Sequence, residues 1–236
     1  MSWLGRMFGA ERRLGQALAA WHAGDHGVAL DLWAPLAHRG DPRAQSNMGA
    51  AFLEGHGVER DHAKAVEWLR RAAEQGDVGG QRNLALCYYE GWGVAQDQEA
   101  AARWYEKAAE QGDADAQDML SWMKLLGGGC PQDHVGARFW AEKAAAQGRA
   151  AAMARLGDIH HNALGVARDP AQAAAWWLKA ARLGHPEAQA MLGAAYLAGK
   201  GVARDRQQAL HWLEQAEAGG AGELAAGFLK LARASS

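Results

Sequence analysis

The amino-acid sequence predicts an all-α solenoid, a protein built from helical hairpins stacked one on the next. Its tryptophans recur at a fixed step of 36 residues, in a ladder of Trp68, Trp104, Trp140, Trp176 and Trp212. Two sets of glycines keep the same step: Gly57, Gly93, Gly129, Gly165 and Gly201, and Gly40, Gly76, Gly112, Gly148, Gly184 and Gly220. Periods of this size are typical of stacked supersecondary units, each of which contacts only its neighbours.

The first element of each unit is predicted to be a helix, most clearly in the unit that begins at Pro42. Apolar or small side chains recur there at helical spacing, at Ala44, Met48, Gly49 and Phe52. Asp41 and Pro42 suit the N-cap and the first helical position. Gly55 and Gly57 then end the helix, because glycine readily adopts the left-handed backbone that a reversing loop needs.

A second helix follows, with Asp61 at its N-cap. Aspartate stands at this phase in all five units, as Asp61, Asp97, Asp133, Asp169 and Asp205. In the first unit the helix presents one apolar face and ends at Gly76, the face being Ala65, Trp68, Leu69, Ala72 and Ala73. Small residues allow close helix packing, and we expect the ladder tryptophans to fill the gaps between hairpins. Their loss should therefore unfold the array.

The repeat phase also predicts the domain organisation. Residues 1–40 form an N-terminal segment and a degenerate capping repeat, with Pro35 kinking its second helix. Residues 221–236 form a C-terminal capping helix, whose charged residues solvate the last outer face. Between them lie five repeats, over residues 41–76, 77–112, 113–148, 149–184 and 185–220.

Composition and charge limit the functional classes. With 25 Lys and Arg against 27 Asp and Glu, the chain has no basic field for nucleic acid, which is excluded as a main partner. Cys87 and Cys130 fall at different phases of the repeat, which argues against a disulfide framework.

No apolar run is long enough to cross a bilayer, and the N-terminus has no secretory signal core, so we expect a soluble, cytoplasmic protein. Residues 1–14 mix apolar and arginine side chains. They are interpreted as a frayed end or a capping helix, with an amphipathic helix on an anionic membrane as the alternative.

The consensus of the repeat is most complete in repeat two, at Leu84, Ala85, Tyr88, Gly91, Gly93, Val94, Asp97, Ala101, Trp104, Lys107, Ala108, Ala109 and Gly112. This pattern resembles the Sel-1-like repeat family, a branch of the tetratricopeptide superfamily. The resemblance implies a right-handed superhelix whose first helices line a concave face. It also implies an adaptor in signalling or assembly rather than a catalyst.

The middle repeats depart from the family pattern. Repeat three has Lys124 at the aromatic position and Cys130 for the loop valine. Repeat four has His160 at the aromatic position and Ala163 at the position of a loop glycine. We therefore expect looser packing there. One branch of the family carries a disulfide in each repeat and is linked to β-lactam binding. The paired cysteines are missing here, which disfavours a β-lactam-binding hydrolase, the alternative enzymatic function.

If the first helices line a groove, the residues between their packing positions face a partner. These include Arg43, Ser46, Glu54, Arg82, Leu86, Tyr89, Glu90, Asp118, Trp122, Leu125, Leu126, Asp158, His161 and Asn162. Tyr89, Trp122, Leu125 and His161 would form an apolar stripe with charged edges, which suits a peptide or protein segment. The alternative is that Trp122 and Leu125 pack into a neighbouring hairpin, since such residues are more often core.

No metal, cofactor or catalytic residue is predicted. His160 and His161 are adjacent on a helix and point about 100° apart, which does not suit one ion, and a turn separates His22 from His26. The glycines at 127–129 lack the strand and the Gly-Lys-Ser/Thr of a phosphate loop. The chain has no threonine, and its internal serines lie in no catalytic motif. The sequence therefore predicts a non-catalytic interaction scaffold.

Overall fold

The computed structural model describes residues 3–234, with residues 3–8 described by their backbone alone. In this part of the chain there are thirteen α-helices and no strand, which confirms the all-α repeat fold. The helices are α1 (Trp3–His22), α2 (His26–His38), α3 (Pro42–Glu54), α4 (His62–Glu74), α5 (Val78–Glu90), α6 (Gln98–Glu110), α7 (Ala114–Leu126), α8 (His134–Ala146), α9 (Ala150–Asn162), α10 (Pro170–Arg182), α11 (Pro186–Ala198), α12 (Arg206–Ala218) and α13 (Gly222–Ala234).

The helices form two compact units. Unit 1 contains the described residues up to Ala116 together with Gly128–Cys130, and unit 2 contains Gln117–Gly127 and the described residues from Pro131 onward. In each unit a first helix packs against the second helix that follows it, as in the pairs α3 with α4 and α11 with α12. Each unit therefore has its own series of helical hairpins.

The aspartate N-caps of the second helices are present in all five repeats. Each carboxylate accepts a hydrogen bond from the backbone N–H three residues on, at 2.9–3.0 Å, the donors being Lys64, Ala100, Gly136, Gln172 and Gln208. One such cap stabilises a helix by about 1 kcal/mol. Asp25, at the same phase in the degenerate repeat, makes no cap bond with its side chain.

A backbone hydrogen bond closes each loop in the same way. The N–H of the capping aspartate donates to the carbonyl nine residues earlier, as from Asp97 to Tyr88 at 2.9 Å. Lys124 and His160 replace the aromatic residue in repeats three and four, yet their carbonyls accept the same bond at 2.8 and 3.1 Å. The bond involves only backbone groups, so it does not depend on the side chain at the aromatic position. It gives no sign of the looser packing that the sequence predicts for repeats three and four.

The loop glycines allow a close approach between consecutive repeats. Gly93 has φ +69°, and a Cβ added to it would overlap the backbone oxygen of His62, the first residue of α4. Gly201 has the same relation to Pro170, the first residue of α10. A side chain at this phase would therefore separate a loop from the preceding second helix.

The ladder tryptophans are half-buried, and the fully or nearly buried position is the next one, occupied by Leu69, Tyr105, Ala141, Trp177 and Leu213. One residue further turns the helix by about 100°, which directs that side chain into the hairpin. The ammonium groups of Lys107 and Lys179 lie 4.0 and 3.7 Å from the ring centres of Trp104 and Trp176. The ladder tryptophans thus cover the edge of the core instead of filling its centre.

Residue size is matched across the hairpins of unit 2. Gly157 of α9 faces the indole of Trp177, which a Cβ on that glycine would overlap. In repeat three the corresponding pair is Ser121 and Ala141, both fully buried, and the Ser121 hydroxyl donates to the Ala137 carbonyl at 2.8 Å. A large residue on one helix is thus accommodated by a small one on the other.

The N-terminal helix α1 spans Trp3–His22. Leu14 is buried in a core cluster with residues of α2, so α1 packs against that helix. The side chains of residues 1–8, on which the alternative of membrane contact depends, lie outside the described residues. Among the described residues, no helix has the length and apolar character that a membrane span requires.

Candidate functional site

An open cavity of about 310 Å³ lies along the first helices of unit 2, and we call it the groove. It is lined from α7, α9 and α11, with one side chain from α10. Its large apolar residues are Trp122, Leu125, Leu126, Trp177 and Met191, and its polar residues are Arg155, Asp158, His185 and Glu187.

The apolar wall begins at the C-terminal end of α7. Trp122, Leu125 and Leu126 lie three and four residues apart, so they share one face of the helix. Leu126, the last residue of α7, is 58 % exposed, whereas Trp122 and Leu125 are half-buried. An exposed leucine beside two partly covered apolar side chains can contact an apolar ligand group without any change in the helix.

Trp177 is fixed in the floor of the groove. Its side chain is buried, stands over Gly157, and donates a hydrogen bond from Nε1 to Oδ1 of Asp158 at 3.0 Å. The ring centre of His161 lies 5.2 Å from that of the indole. These contacts hold the indole and the carboxylate in one arrangement before any partner arrives.

The charges of the groove are unequally satisfied. The Arg155 guanidinium donates to the Asp118 carboxylate in a short, largely buried ion pair. His185 caps α11 and lies 3.3 Å from the Glu187 carboxylate. Burial raises the pKa of Asp158, and this effect outweighs the hydrogen bond from Trp177, which lowers it.

A second cavity, of about 210 Å³, shares Trp177 and Met191 with the groove. It is lined mainly by apolar side chains, including Phe228 of α13, and its polar residues are His161 and Lys200. The indole of Trp177 therefore contributes to both cavities.

Six predicted site residues lie in or beside these two cavities. Trp122, Leu125, Leu126 and Asp158 line the groove, Asp118 holds Arg155 there, and His161 lines the second cavity. Asn162, also predicted, is exposed but lines neither cavity.

Ser46 is buried, with 7 % of its surface exposed, so the prediction that it faces a partner is wrong. A Cβ on Gly79 would lie 3.0 Å from the Ser46 hydroxyl oxygen, which shows how closely α5 packs over it. Helical spacing along α3 gave no information on the burial of Ser46 by the next repeat.

Of the six other predicted residues of unit 1, three form ion pairs within that unit. Arg43 bonds to the Glu11 carboxylate at 2.6 Å, Glu54 lies 2.8 Å from His56, and Arg82 bonds to Asp113 at 2.9 Å. The remaining three are Leu86 and Tyr89, which are half-buried, and Glu90, which is exposed.

Besides three alanines, sequence reasoning missed five groove residues, namely Arg155, Trp177, His185, Glu187 and Met191. Trp177 had an available signal, because it forms a tandem pair with the ladder residue Trp176 that no other repeat has. His185 stands at the N-cap phase, where three other repeats have aspartate, and the remaining residues come from phases with no residue type common to all repeats. The period therefore gives no indication of their role in the groove.

No described residues form a cluster of three or more metal-ligating side chains. Both cysteines are free thiols. Burial raises the pKa of the Cys87 thiol to about 12, which keeps it protonated at neutral pH and therefore unreactive as a nucleophile.

Repeated helical hairpins and a preformed groove define an α-helical repeat protein of the solenoid class. The model of the Sel1 repeat matches residues 42–77, 78–113, 114–148, 150–185 and 186–220. The chain therefore belongs to the Sel1 repeat family, as its sequence motif predicts. No curated protein sequence matches the chain.

Solved structures show the same fold. A Sel1 repeat protein from Oxalobacter formigenes is 27% identical with a TM-score of 0.84, and the match covers 93% of this chain and 96% of that one. The protective antigen c5321 of uropathogenic Escherichia coli is 32% identical with a TM-score of 0.83 over 91% of this chain. The chain spans only 47% of the length of c5321.

A third match is the immunity protein PA5088 of Pseudomonas aeruginosa, at 18% identity and a TM-score of 0.50, covering 96% of this chain and 82% of that one. At this identity the likeness shows the fold alone. Sel1 repeat proteins are commonly protein-interaction scaffolds, and their fold is generally a non-catalytic one.

Proposed function

We propose that the protein is a non-catalytic scaffold that binds a peptide or protein segment in the groove of unit 2. The observation that carries this proposal is the exposed Leu126 beside Trp122 and Leu125 on the wall of an open cavity of about 310 Å³. Exposed apolar side chains at a concave surface favour binding, and a few polar groups beside them orient the ligand.

Preorganisation is the proposed mechanism. Trp177 and Asp158 are hydrogen-bonded to each other, and Arg155 is held by Asp118, so the main side chains of the groove are already ordered. Association then costs the conformational entropy of the ligand and little of that of the protein. A segment with apolar anchors would bury them against Trp122, Leu125 and Leu126.

A selection experiment tests the proposal. A displayed library of random dodecapeptides is selected on the immobilised full-length protein, and the affinity of the recovered peptides is measured by fluorescence polarisation. Leu126→Gln should weaken their binding about tenfold, because a buried leucine contact is worth roughly 1.5–3 kcal/mol. The thermal midpoint should stay unchanged, since Leu126 is exposed.

Val135→Gln is the matched control. Val135 is 59 % exposed, close to the exposure of Leu126, but it lies at the start of α8 and lines neither cavity of unit 2. Its substitution should leave peptide affinity unchanged. Recovery of no peptide, or equal binding by the Leu126→Gln variant and the parent protein, would contradict the proposal.

A further inference from the structure

The carboxylate of Asp158 is the least satisfied charge of the groove. Its Oδ1 accepts the hydrogen bond of Trp177, and among the described residues Oδ2 has no hydrogen-bond or ion-pair partner. A carboxylate has about four lone-pair sites and is costly to bury without a cation or several donors. This half-buried side chain therefore has capacity for a further hydrogen-bond donor on the wall of the groove.

The neighbouring cations do not fill that capacity. The charges of Arg155, His161 and His185 all act on Asp158, but Arg155 is committed to Asp118. His185 is occupied by the cap of α11 and by Glu187. Because the charge of Arg155 is neutralised by Asp118, the carboxylates of Asp158 and Glu187 give the lining of the groove an excess of negative charge.

The surroundings of this carboxylate are aromatic and aliphatic. Trp122, Trp177, Leu125 and Met191 line the same cavity. A guanidinium or ammonium group on an aliphatic stem suits such surroundings, because the stem packs on apolar surface while the charge meets a carboxylate. Aromatic rings add an attraction for cations that a neutral or acidic side chain does not receive.

From these contacts we infer that the groove recognises a basic side chain, arginine or lysine, next to apolar residues in its partner segment, with Asp158 as the acceptor of the cation. This inference rests on the proposed function and specifies the chemistry of the partner. An acidic segment would be repelled by Asp158 and Glu187. A purely apolar one would leave Oδ2 of Asp158 buried without a donor, which is unfavourable.

The dodecapeptides selected on the full-length protein provide the probe. They should be enriched in arginine or lysine beside apolar residues. Replacing arginine by citrulline, or lysine by acetyl-lysine, removes the charge and nearly preserves the shape. Each replacement should weaken binding about tenfold, the usual range for a charge-assisted hydrogen bond.

Asp158→Asn locates the effect. The amide oxygen of asparagine can still accept the hydrogen bond from Trp177, so this substitution removes the charge and keeps the fold of the groove. The variant should bind arginine and citrulline peptides equally, while Leu126→Gln still weakens both. Glu142→Gln, an exposed carboxylate paired with Arg138 on α8, should keep the full arginine preference of the parent protein.

The outcomes separate the two hypotheses. Peptides that depend on Leu126 but show no basic enrichment, or no loss with citrulline, would overturn the inference and leave the scaffold function standing. An Asp158→Asn variant that keeps the arginine preference would also overturn it. If no recovered peptide depends on Leu126, the proposed function fails, and this inference fails with it.

Discussion

Repeats two and four have the same helical hairpin but maintain it differently. In repeat two, Asp77 caps α5, and Gly91 ends that helix in the left-handed conformation. In repeat four, Arg149 stands at the N-cap of α9 and its side chain makes no cap hydrogen bond, and Ala163 adopts the left-handed conformation at φ 58°. Repeat four therefore lacks one cap and contains one strained residue, each worth about 1 kcal/mol.

A glutamine contact also differs between them. Gln81 is buried, and its side-chain oxygen accepts from Gln111 at 2.8 Å in repeat two. The same contact joins Gln45 with Gln75 and Gln117 with Gln147. Repeat four has Met153 and Leu183 at these positions and cannot form it.

Repeat four has two other features in exchange. Asp158 stands where repeat two has Leu86, and Trp177 stands where it has Tyr105. Their hydrogen bond joins α9 to α10 at the floor of the groove. These two departures from the period lie in the groove, as is expected where residues are selected for a surface at some cost in local stability.

Among the tests of this comparison, Trp177→Ala should have the largest effect on stability. The indole is 2 % exposed and fills the space over Gly157, so its loss should lower the free energy of unfolding by about 4 kcal/mol. Trp176→Ala should cost about half as much, since the ladder tryptophan is half-buried and is covered on one side by Lys179. Urea unfolding followed by circular dichroism gives both values. A greater loss for Trp176 would restore the ladder as the main stabilising element.

The relation between Trp176 and Trp177 shows what sequence reasoning could and could not give. The period locates every second helix, its aspartate cap and its terminal glycine, because these depend on local backbone chemistry that repeats with the motif. It does not tell which of two adjacent tryptophans is buried. That depends on the size of the facing residue, and Gly157 becomes informative only after the two helices are paired.

The groove was predictable in part for the same reason. Trp122 breaks the period on a first helix, and Leu125 lies three residues further on the same face, so the sequence marks both as candidates. Arg155, His185 and Glu187 look like ordinary surface charges until α7, α9 and α11 are placed side by side. Ser46 shows the opposite error, because burial by the following repeat is a tertiary effect that spacing along one helix does not contain.

A smaller effect is expected from Ala163→Gly, which restores the residue that repeat two has at this phase. Relief of the left-handed strain should stabilise the protein by about 0.5–1 kcal/mol, since part of the gain is lost to the greater freedom of unfolded glycine. Gly91→Ala is the reciprocal change, and its added Cβ meets no atom closer than 3.4 Å, so strain alone should destabilise it by about 1 kcal/mol. Chemical denaturation measures both, and changes of the same sign in the two variants would contradict the comparison.

The smallest expected effect is a pH dependence at Asp158. Burial raises the pKa of this carboxyl in the folded protein, so the folded state holds its proton at pH values where the unfolded chain has released it. The stability that Asp158 contributes is therefore greatest below its unfolded pKa and is lost as the pH rises through the folded one. Asparagine does not titrate. As the pH rises through this range, the thermal midpoint of Asp158→Asn should therefore increase relative to that of the parent protein.

Asp61→Asn is the control of opposite sign. Hydrogen bonds from Lys64 lower the pKa of the Asp61 carboxyl, and the bond from its backbone has a larger effect than the bond from its side chain. Its ionised form therefore stabilises the fold above the unfolded pKa, and that contribution is lost as the pH falls through the folded one. As the pH rises, the thermal midpoint of Asp61→Asn should decrease relative to that of the parent protein. Because the two carboxylates differ mainly in burial and in hydrogen bonding, parallel pH profiles for the two variants would show that the groove does not desolvate Asp158.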